Sequence, residues 1–305
     1  KKEHPDIIIG YSITNGLIGL ILAKIFHIPY IFHYIDILHK LVPFPYIQNF
    51  ARIISRISLK YADIVLAYTS IHRNYIINEG TKPNRVEIIP NGVSLKNTII
   101  DNIKLDKIRR DLKLYDNDFV IFFMGYLYEF AGLREIIDFY NDDVTKGKLN
   151  LKFIILGDGG IYNFLIKYVQ KIGAYWVQLI GRVPYEDVTE YIALADLCLL
   201  SFKKNEITKE ITPLKLYEYM IMKKPVLSNS LPGILIEIGK NNGIIFSKNQ
   251  EILIQKIREL IPQKEELIKI GLKGFNLVKN KYIWSNIIKK LKSIMIDLIK
   301  IKMRN

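Results

Sequence analysis

The feature that most constrains this fold is a series of ten short apolar runs, most of them separated by segments with helical spacing. The runs are 7–11, 30–34, 64–67, 86–89, 119–124, 152–156, 176–179, 197–200, 225–228 and 243–245. Short continuous apolar strands that alternate with helices are typical of parallel sheets covered on both faces. The sequence therefore predicts an α/β fold.

The length and hydrophobic content of the chain indicate two domains. It has 305 residues, half of them hydrophobic, which is enough for two large cores. A polar stretch at 97–118 separates two blocks of predicted strands. We predict a partial first domain with its linker over 1–115 and a second domain over 116–283. In a final segment, 284–305, apolar side chains recur at helical spacing with lysines between them, which predicts an amphipathic helix.

The positive charge of the chain is typical of proteins that bind nucleic acid or an anionic membrane. It carries 44 basic and 30 acidic side chains, a net charge of +14. The basic residues form no dense run, and the sequence has no zinc-finger or aromatic RNA-binding motif, which argues against nucleic acid. The basic amphipathic helix predicted at 284–303 favours peripheral contact with an anionic membrane surface instead.

A membrane span and secretion are both disfavoured by the sequence. The uncharged stretch 7–23 approaches the length of a span, but glycine, serine, threonine and asparagine interrupt it. We expect a strand, a loop and then a helix over 15–26. The single cysteine, Cys198, lies in an apolar run, which indicates a reducing compartment without disulfides. No apolar signal-peptide core follows the first residues, so we expect a cytoplasmic protein, at most peripheral to the inner face of the cell membrane.

The segment EITPLKLYEYMIMKKPV at 210–226 combines two carboxylates, a helix start and a cation. Thr212 is a favourable helix cap, and Pro213 suits the first helical position. Lys215 and Glu218 are three positions apart, so they share one face of that helix. Free N–H groups at a helix start, beside a cation, form an anion site. The alternative is an ordinary helix start with a solvated surface pair.

Four loops follow predicted strands at the same end of the second sheet. They are GYLYEFAGL after Met124, GDGG after Leu156, IGRVP after Leu179 and SFKKNEITKEITP after Leu200. A single glycine after a strand is usually a turn. Ligands of open parallel sheets bind beyond the carboxyl ends of the strands, so four such loops together indicate a binding site.

The order of these motifs resembles that of the family 4 (group 1) retaining glycosyltransferases. The motifs that carry the resemblance are the Gly125–Gly132 loop, LGDGG, GRVPYEDVTEYIALADLCLLSF, the two glutamates eight positions apart, KKPV, and IPNGV at 89–93. The resemblance covers essentially the whole chain and implies the GT-B architecture, two Rossmann-like domains with a final helix that crosses back to the first. The start of the chain matches the fourth strand of that first domain, which implies that the N-terminal domain is incomplete.

The resemblance also implies an activity. Enzymes of this family transfer a sugar from a nucleotide diphosphate sugar to a hydroxyl acceptor with retention of configuration. The implied acceptor is a glycan, a lipid-linked sugar or another glycoconjugate of the cell envelope. The donor is a substrate, and neither a cofactor nor a metal is expected, because helix N-termini and cations can stabilise the departing diphosphate.

The resemblance assigns roles to individual residues. Glu218 matches the carboxylate that holds the donor ribose, and Glu210 matches the one beside the donor sugar. Residues 181–183 match the loop against which the base packs. The predicted donor-binding residues are Gly125, Tyr126, Gly157, Gly181, Arg182, Val183, Thr212, Pro213, Leu214, Lys215 and Glu218.

Two positions depart from the family pattern. The family usually has an arginine after the first glycine and a lysine before the second, both on the diphosphate, whereas this chain has Tyr126 and Ala131. We predict that Lys215 supplies part of the missing charge. The other candidate cations nearby are Arg134, Lys203 and Lys204. The usual Gly-Phe-Gly between the two glutamates is missing as well.

The catalytic residues of the first domain are predicted from a histidine–aspartate pair of the family. Asp36 matches the aspartate, but Ile35 stands at the histidine position. His33 lies two residues earlier, on the same strand face. We predict His33, Asp36 and Glu210 as catalytic residues, against the alternative that His33 is a hydrogen-bonded structural residue. A metal site of His33, Asp36 and His39 has little support.

Two other functions stay open. The missing arginine and lysine favour a catalytically weak or inactive homologue that serves as a nucleotide-sugar-binding or partner subunit. A sugar-nucleotide epimerase or a phosphorylase can also be built on this architecture. An epimerase needs additional carboxylates and histidines, whereas the second block of this chain contains no histidine.

Overall fold

The computed structural model describes residues 5–35, 37–42, 44–205 and 208–304. Within this part of the chain, ten strands alternate with twelve α-helices. The strands are β1 (Ile8–Tyr11), β2 (Tyr30–His33), β3 (Ile64–Ala67), β4 (Val86–Ile88), β5 (Phe119–Met124), β6 (Leu151–Leu156), β7 (Val177–Gly181), β8 (Leu197–Leu200), β9 (Val226–Asn229) and β10 (Ile244–Ser247). All ten predicted segments are therefore strands, with small differences at their ends.

The helices follow the strands in the expected alternation. They are α1 (Ile13–Ile25), α2 (Pro45–Tyr61), α3 (Ser70–Asn78), α4 (Asn102–Asp111), α5 (Leu133–Thr145), α6 (Tyr162–Lys171), α7 (Val188–Ala193), α8 (Leu214–Ile221), α9 (Pro232–Glu237), α10 (Gln250–Leu260), α11 (Lys264–Lys281) and α12 (Trp284–Arg304). Short 3-10 turns occupy Leu38–Leu41, Pro83–Arg85, Leu95–Thr98, Glu129–Ala131 and Tyr185–Asp187.

The chain forms two compact units. The first contains the described residues up to Asn91 together with those from Trp284, and the second is Gly92–Ile283. The second unit thus begins earlier than the boundary predicted at Asp116. The reason is that α4 packs against α7, where Lys104 forms an ion pair with Asp187. The N–H of Val93 also donates to the carbonyl of Tyr282 (2.8 Å).

The first unit is built on a parallel sheet with the strand order β1-β2-β3-β4 over the described residues. Because successive residues of a strand point to opposite faces, Tyr30 and Phe32 pack with α1, α2 and α3 on one face, while Ile31 packs with α12 on the other. The glycine-interrupted stretch that resembled a membrane span is β1 followed by α1. Its Gly16 carbonyl accepts a hydrogen bond from the Tyr30 hydroxyl (2.6 Å), and within the described residues we find no helix long and apolar enough to span a membrane.

The amphipathic helix α12 uses its apolar side to cover the sheet of the first unit. Five of the six apolar positions of its predicted stripe pack against Ile31, Leu66 and Ile89; they are Ile287, Leu291, Ile294, Met295 and Leu298. Two of its lysines bind the same sheet, since Lys290 donates to the carbonyl of Ile88 (2.8 Å) and Lys302 pairs with Asp63 (3.1 Å). The apolar stripe on which the membrane contact of this helix was predicted is therefore occupied.

The second unit is built on a parallel sheet with the strand order β10-β9-β8-β5-β6-β7 in the described residues. The chain first adds strands on one side of β5 and then crosses to the other side, so the strand order reverses between β5 and β8. Loops at such a reversal diverge and leave a crevice at the carboxyl end of the sheet. The two-domain α/β fold with parallel sheets is confirmed, and the crevice positions the candidate site.

Candidate active site

A cavity of about 410 Å³ lies at the carboxyl end of the second sheet. It is lined by the residues that follow β5, β6 and β7 and by one side of α8. The lining residues are Met124, Gly125, Tyr126, Leu156, Gly157, Asp158, Gly181, Arg182, Val183, Tyr185, Val188, Lys215 and Glu218. The cavity therefore forms within a single unit of the chain.

Backbone hydrogen bonds hold the three loops of the cavity together. The N–H of Gly125 donates to Leu156 (2.9 Å), and the N–H of Gly157 donates to Gly181 (2.7 Å). Gly157 has a φ of +122°, and a Cβ there would lie 2.2 Å from the carbonyl oxygen of Gly125. This position tolerates only glycine, because any side chain would separate the two loops.

Eight predicted donor-binding residues line this cavity. They are Gly125, Tyr126, Gly157, Gly181, Arg182, Val183, Lys215 and Glu218. Thr212, Pro213 and Leu214 are not among the lining residues. The helix starts one residue later than predicted, with Pro213 as its extended N-cap (φ −71°, ψ 141°). The prediction that Thr212 caps the helix is wrong, because its buried hydroxyl makes no hydrogen bond within the described residues.

Lys215 points from α8 into the base of the cavity. Its ammonium donates to the carbonyl of Met124 and lies over the rings of Phe123 (4.3 Å) and Phe202 (4.8 Å). Burial lowers the pKa of Lys215 to about 7, and the Glu218 carboxylate opposes this fall. A cation held by one carbonyl and two ring faces is close to losing its proton at neutral pH, and an anion in the cavity would stabilise its charged form.

Glu218 lies one turn after Lys215 and is buried. Its Oε1 accepts a hydrogen bond from the hydroxyl of Tyr185 (2.9 Å). Burial raises the pKa of Glu218, while the Tyr185 hydrogen bond and the charge of Lys215 act in the opposite direction. Tyr185 was not predicted as a site residue, although it directly follows the GRVP motif.

The side of the cavity formed by the loops after β6 and β7 carries a second pair of charges. Arg182, after β7, forms an ion pair with Asp158, after β6 (2.7 Å). Tyr126, which replaces the usual arginine, is half exposed, and its ring lies against that of Tyr128 (4.5 Å between centroids). Asp158 was also missed by the sequence reasoning, although it belongs to the GDGG motif that supplied Gly157.

The other candidate cations lie outside the cavity lining. Lys203 forms an ion pair with Glu135. Arg134 pairs with Asp138 (3.4 Å) and lies over the ring of Tyr168 (5.0 Å). Lys204 is exposed. Of the four cations proposed from the sequence, Lys215 is therefore the one placed to meet a ligand in this cavity.

Two of the predicted catalytic residues, Glu210 and His33, are not among the residues that line this cavity. Glu210 is exposed on the loop before α8, where its backbone packs against Gly233. His33 ends β2 in the first unit, with its ring edge-on to Tyr68 (5.3 Å), and burial lowers its pKa. Asp36 lies outside the described residues. In the described part of the chain, no three His, Cys, Asp or Glu side chains are grouped so that they could hold a metal ion.

Comparison with known families agrees with the motifs and the cavity. Residues 105–275, more than half of the chain, match the glycosyl transferases group 1. The chain belongs to this family. Residues 1–97 match a second family, Glycosyltransferase Family 4. The region of the group 1 match contains every residue that lines the cavity.

Several curated proteins are similar at low identity. An uncharacterized glycosyltransferase of Methanocaldococcus jannaschii is 23% identical over 252 residues, which are 81% of this chain and 61% of that protein. The chain thus spans about three fifths of the length of this relative. The capsular polysaccharide biosynthesis glycosyltransferase CapM of Staphylococcus aureus is 23% identical over 98% of this chain and 78% of its own length.

Solved structures share the fold. HepE of Anabaena in complex with UDP has a TM-score of 0.77 at 19% identity, covering 96% of this chain and 79% of that one. Sucrose-phosphate synthase of Thermosynechococcus elongatus has a TM-score of 0.74 at 16% identity, covering 97% of this chain and 74% of that one. Both similarities support the two-domain parallel α/β architecture.

Proposed function

We propose that this chain is a retaining glycosyltransferase that binds a nucleotide diphosphate sugar in the cavity of its second unit and transfers the sugar to a hydroxyl acceptor. The observation that carries the proposal is the pairing of a buried carboxylate, Glu218, with a half-buried cation, Lys215, on one helix at the carboxyl end of a parallel sheet. The group 1 family match supports the same activity.

The residues of the cavity suit the parts of such a donor. A carboxylate accepts two hydroxyl groups at once, so Glu218 is matched to a ribose. Lys215 and the N-terminus of α8 supply positive charge for the diphosphate, and this charge stabilises the leaving group most when it departs. The backbone of 181–183 forms a wall against which a base can pack. The structure of HepE with UDP makes UDP the first nucleotide to test.

The acceptor, the stereochemistry and the metal independence belong to the proposal as well. The similarity to CapM supports a glycan or lipid-linked acceptor in envelope polysaccharide synthesis. Retention follows the family resemblance, with Glu210 near the donor sugar and with His33 and Asp36 as catalytic residues on the acceptor side. We further propose that the cations of the cavity replace a metal ion at the diphosphate.

A Glu218→Ala variant tests the donor site. Isothermal titration calorimetry should show at least a tenfold weaker UDP affinity, a loss of about 1.4 kcal/mol or more. The matched control is Glu210→Ala, eight residues earlier and exposed outside the cavity, which should leave UDP binding unchanged and lower sugar transfer. Equal UDP binding by Glu218→Ala and the parent chain would contradict the assignment.

An activity assay on the same protein distinguishes an active enzyme from a subunit that only binds the nucleotide sugar. Incubation of the chain with UDP-sugars and a panel of glycan acceptors, followed by mass spectrometry, should detect a product larger by one sugar. Tight UDP binding without any product or donor hydrolysis would instead support the inactive homologue, which Tyr126 and Ala131 favour.

A further inference from the structure

Two neighbouring helices of the first unit, α1 and α2, expose large apolar side chains. They pack against each other, and each carries such residues along its outer side. The exposed residues are Ile18, Ile21, Leu22 and Ile25 of α1 and Tyr46, Ile47, Phe50, Ile53, Ile57 and Tyr61 of α2. We call this set the α1–α2 face. A single exposed leucine is ordinary, whereas an apolar set on two packed helices marks an interaction surface.

The α2 part of the α1–α2 face follows from the helical repeat. Tyr46, Phe50, Ile53 and Ile57 recur at spacings of three and four, so they form one row along the helix. The row is well exposed, with Tyr46 at 79% and Phe50 at 65%. The opposite side of α2 buries Leu59 and three small residues, Ala51, Ser55 and Ser58. The helix therefore keeps mostly small side chains against its own unit and turns large ones outward.

A row of basic residues runs beside the apolar row. Arg52, Arg56 and Lys60 follow at successive spacings of four, and neither α1 nor α2 contains an aspartate or a glutamate. Glu79 accepts hydrogen bonds from Arg52 (3.0 and 2.5 Å) and from Arg56 (2.8 Å). One carboxylate thus faces two guanidinium groups, and with Lys60 the row keeps a net positive charge.

We propose that the α1–α2 face binds the surface of an anionic lipid membrane. Its apolar side chains enter the headgroup region, and the basic row contacts the lipid phosphates. This inference goes beyond the proposed donor chemistry and does not depend on it. It also moves the membrane contact from α12, whose apolar stripe covers the sheet, to a face that is exposed.

The pattern fits a lipid interface better than a protein partner. An interfacial helix combines an apolar row, which lies at the boundary of the acyl chains, with lysine and arginine at the level of the phosphates. In α2 the basic row of Arg52, Arg56 and Lys60 lies beside the later part of the apolar row, so the two rows can meet the same flat interface. A protein that covers apolar residues does not by itself require basic side chains beside them, so protein binding is an outcome of the test and not the proposal.

The proposal is tested by sedimentation of the chain with vesicles of phosphatidylcholine alone and with added phosphatidylglycerol. We expect the chain to bind the anionic vesicles at low salt. A Phe50→Ser/Ile53→Ser variant should bind them at least about tenfold more weakly. The matched control is Ile103→Ser/Ile268→Ser, in which two exposed isoleucines of the second unit are replaced, and its binding should equal that of the parent. A thermal melt verifies that both variants are folded.

Insertion of the helix itself is measured with a tryptophan at position 50. The fluorescence of Phe50→Trp should move to shorter wavelength with anionic vesicles and should be quenched by brominated acyl chains, whereas that of Ile103→Trp should not. No binding of the parent chain at low salt, equal binding of the Phe50→Ser/Ile53→Ser variant, or unquenched Phe50→Trp would each overturn the proposal. Binding to neutral and anionic vesicles alike would overturn the role of the basic row.

Discussion

The two units of this chain bury their sheets to different extents. Every residue of β5, β8 and β9 in the second unit is buried. In the first unit, β1 lies at the edge of the sheet and exposes Ile9 and Tyr11, while α1 and α2 expose their apolar rows. The central strands of the second unit are therefore fully covered, and its own loops form the cavity. The exposed apolar rows of the first unit suit the membrane contact proposed above.

The largest effect that we expect from this comparison is on stability. Ile121 in β5 is fully buried, so Ile121→Ala should lower the free energy of unfolding by about 2–5 kcal/mol. Ile9→Ala in β1 removes the same atoms from an exposed position and should cost less than about 1 kcal/mol. Urea unfolding monitored by circular dichroism compares the two variants. A loss of several kcal/mol for Ile9→Ala would show that β1 is covered in solution.

The second effect concerns diphosphate binding in the cavity of the second unit. A charge-assisted hydrogen bond contributes about 1.5–3 kcal/mol, so Lys215→Met should weaken UDP binding about ten- to a hundredfold. Uridine lacks the phosphates, and its affinity should not change. The control is Lys203→Met, because Lys203 is paired with Glu135 away from the cavity. If Lys215→Met binds UDP as well as the parent chain does, Lys215 does not compensate for the missing arginine and lysine.

The pH dependence of the same lysine should be visible in both binding and stability. Since burial lowers the pKa of Lys215 to about 7, UDP affinity should decline as the pH rises above 7. The unfolded chain keeps this proton up to its ordinary pKa near 10.5. Between these values the unfolded state binds more protons, so the stability contributed by this residue increases with pH. Calorimetry and urea unfolding from pH 6 to pH 9.5 measure the two trends, and both should be absent in Lys215→Met.

Much of the fold was predictable because the short strands of a parallel sheet are continuous apolar runs. The ten runs became ten strands, and eight predicted donor-binding residues line one cavity, since the carboxyl ends of neighbouring strands meet at one edge. Their role in donor binding stays a prediction. The contact of α4 with α7 was not predictable, because it depends on Lys104 and Asp187, which are far apart in the sequence.

What covers an amphipathic helix is less predictable from the sequence. A pattern of apolar residues indicates that a helix has an apolar side but not what covers it. For α12 the pattern suggested a membrane, whereas its apolar side packs on the sheet of the first unit. For α2 the small residues Ala51, Ser55 and Ser58 face inward together with Leu59, and most of the large ones face out. A ranking by hydrophobicity alone would bury the side of α2 that carries Phe50, Ile53 and Ile57, which is the exposed side.

The smallest effect concerns Tyr185, which positions Glu218 through a hydrogen bond of 2.9 Å. Tyr185→Phe removes one neutral donor, worth about 0.5–1.5 kcal/mol, so UDP binding should weaken about two- to tenfold. Because this hydrogen bond lowers the pKa of Glu218, its removal should raise that pKa. Glu218 accepts ribose hydroxyls best when ionised, so the loss of affinity on acidification should begin at a higher pH in Tyr185→Phe. Tyr175→Phe, which changes an exposed tyrosine away from the cavity, should have the pH profile of the parent. An unshifted profile in Tyr185→Phe would mean that Tyr185 only packs beside the carboxylate and does not control its proton.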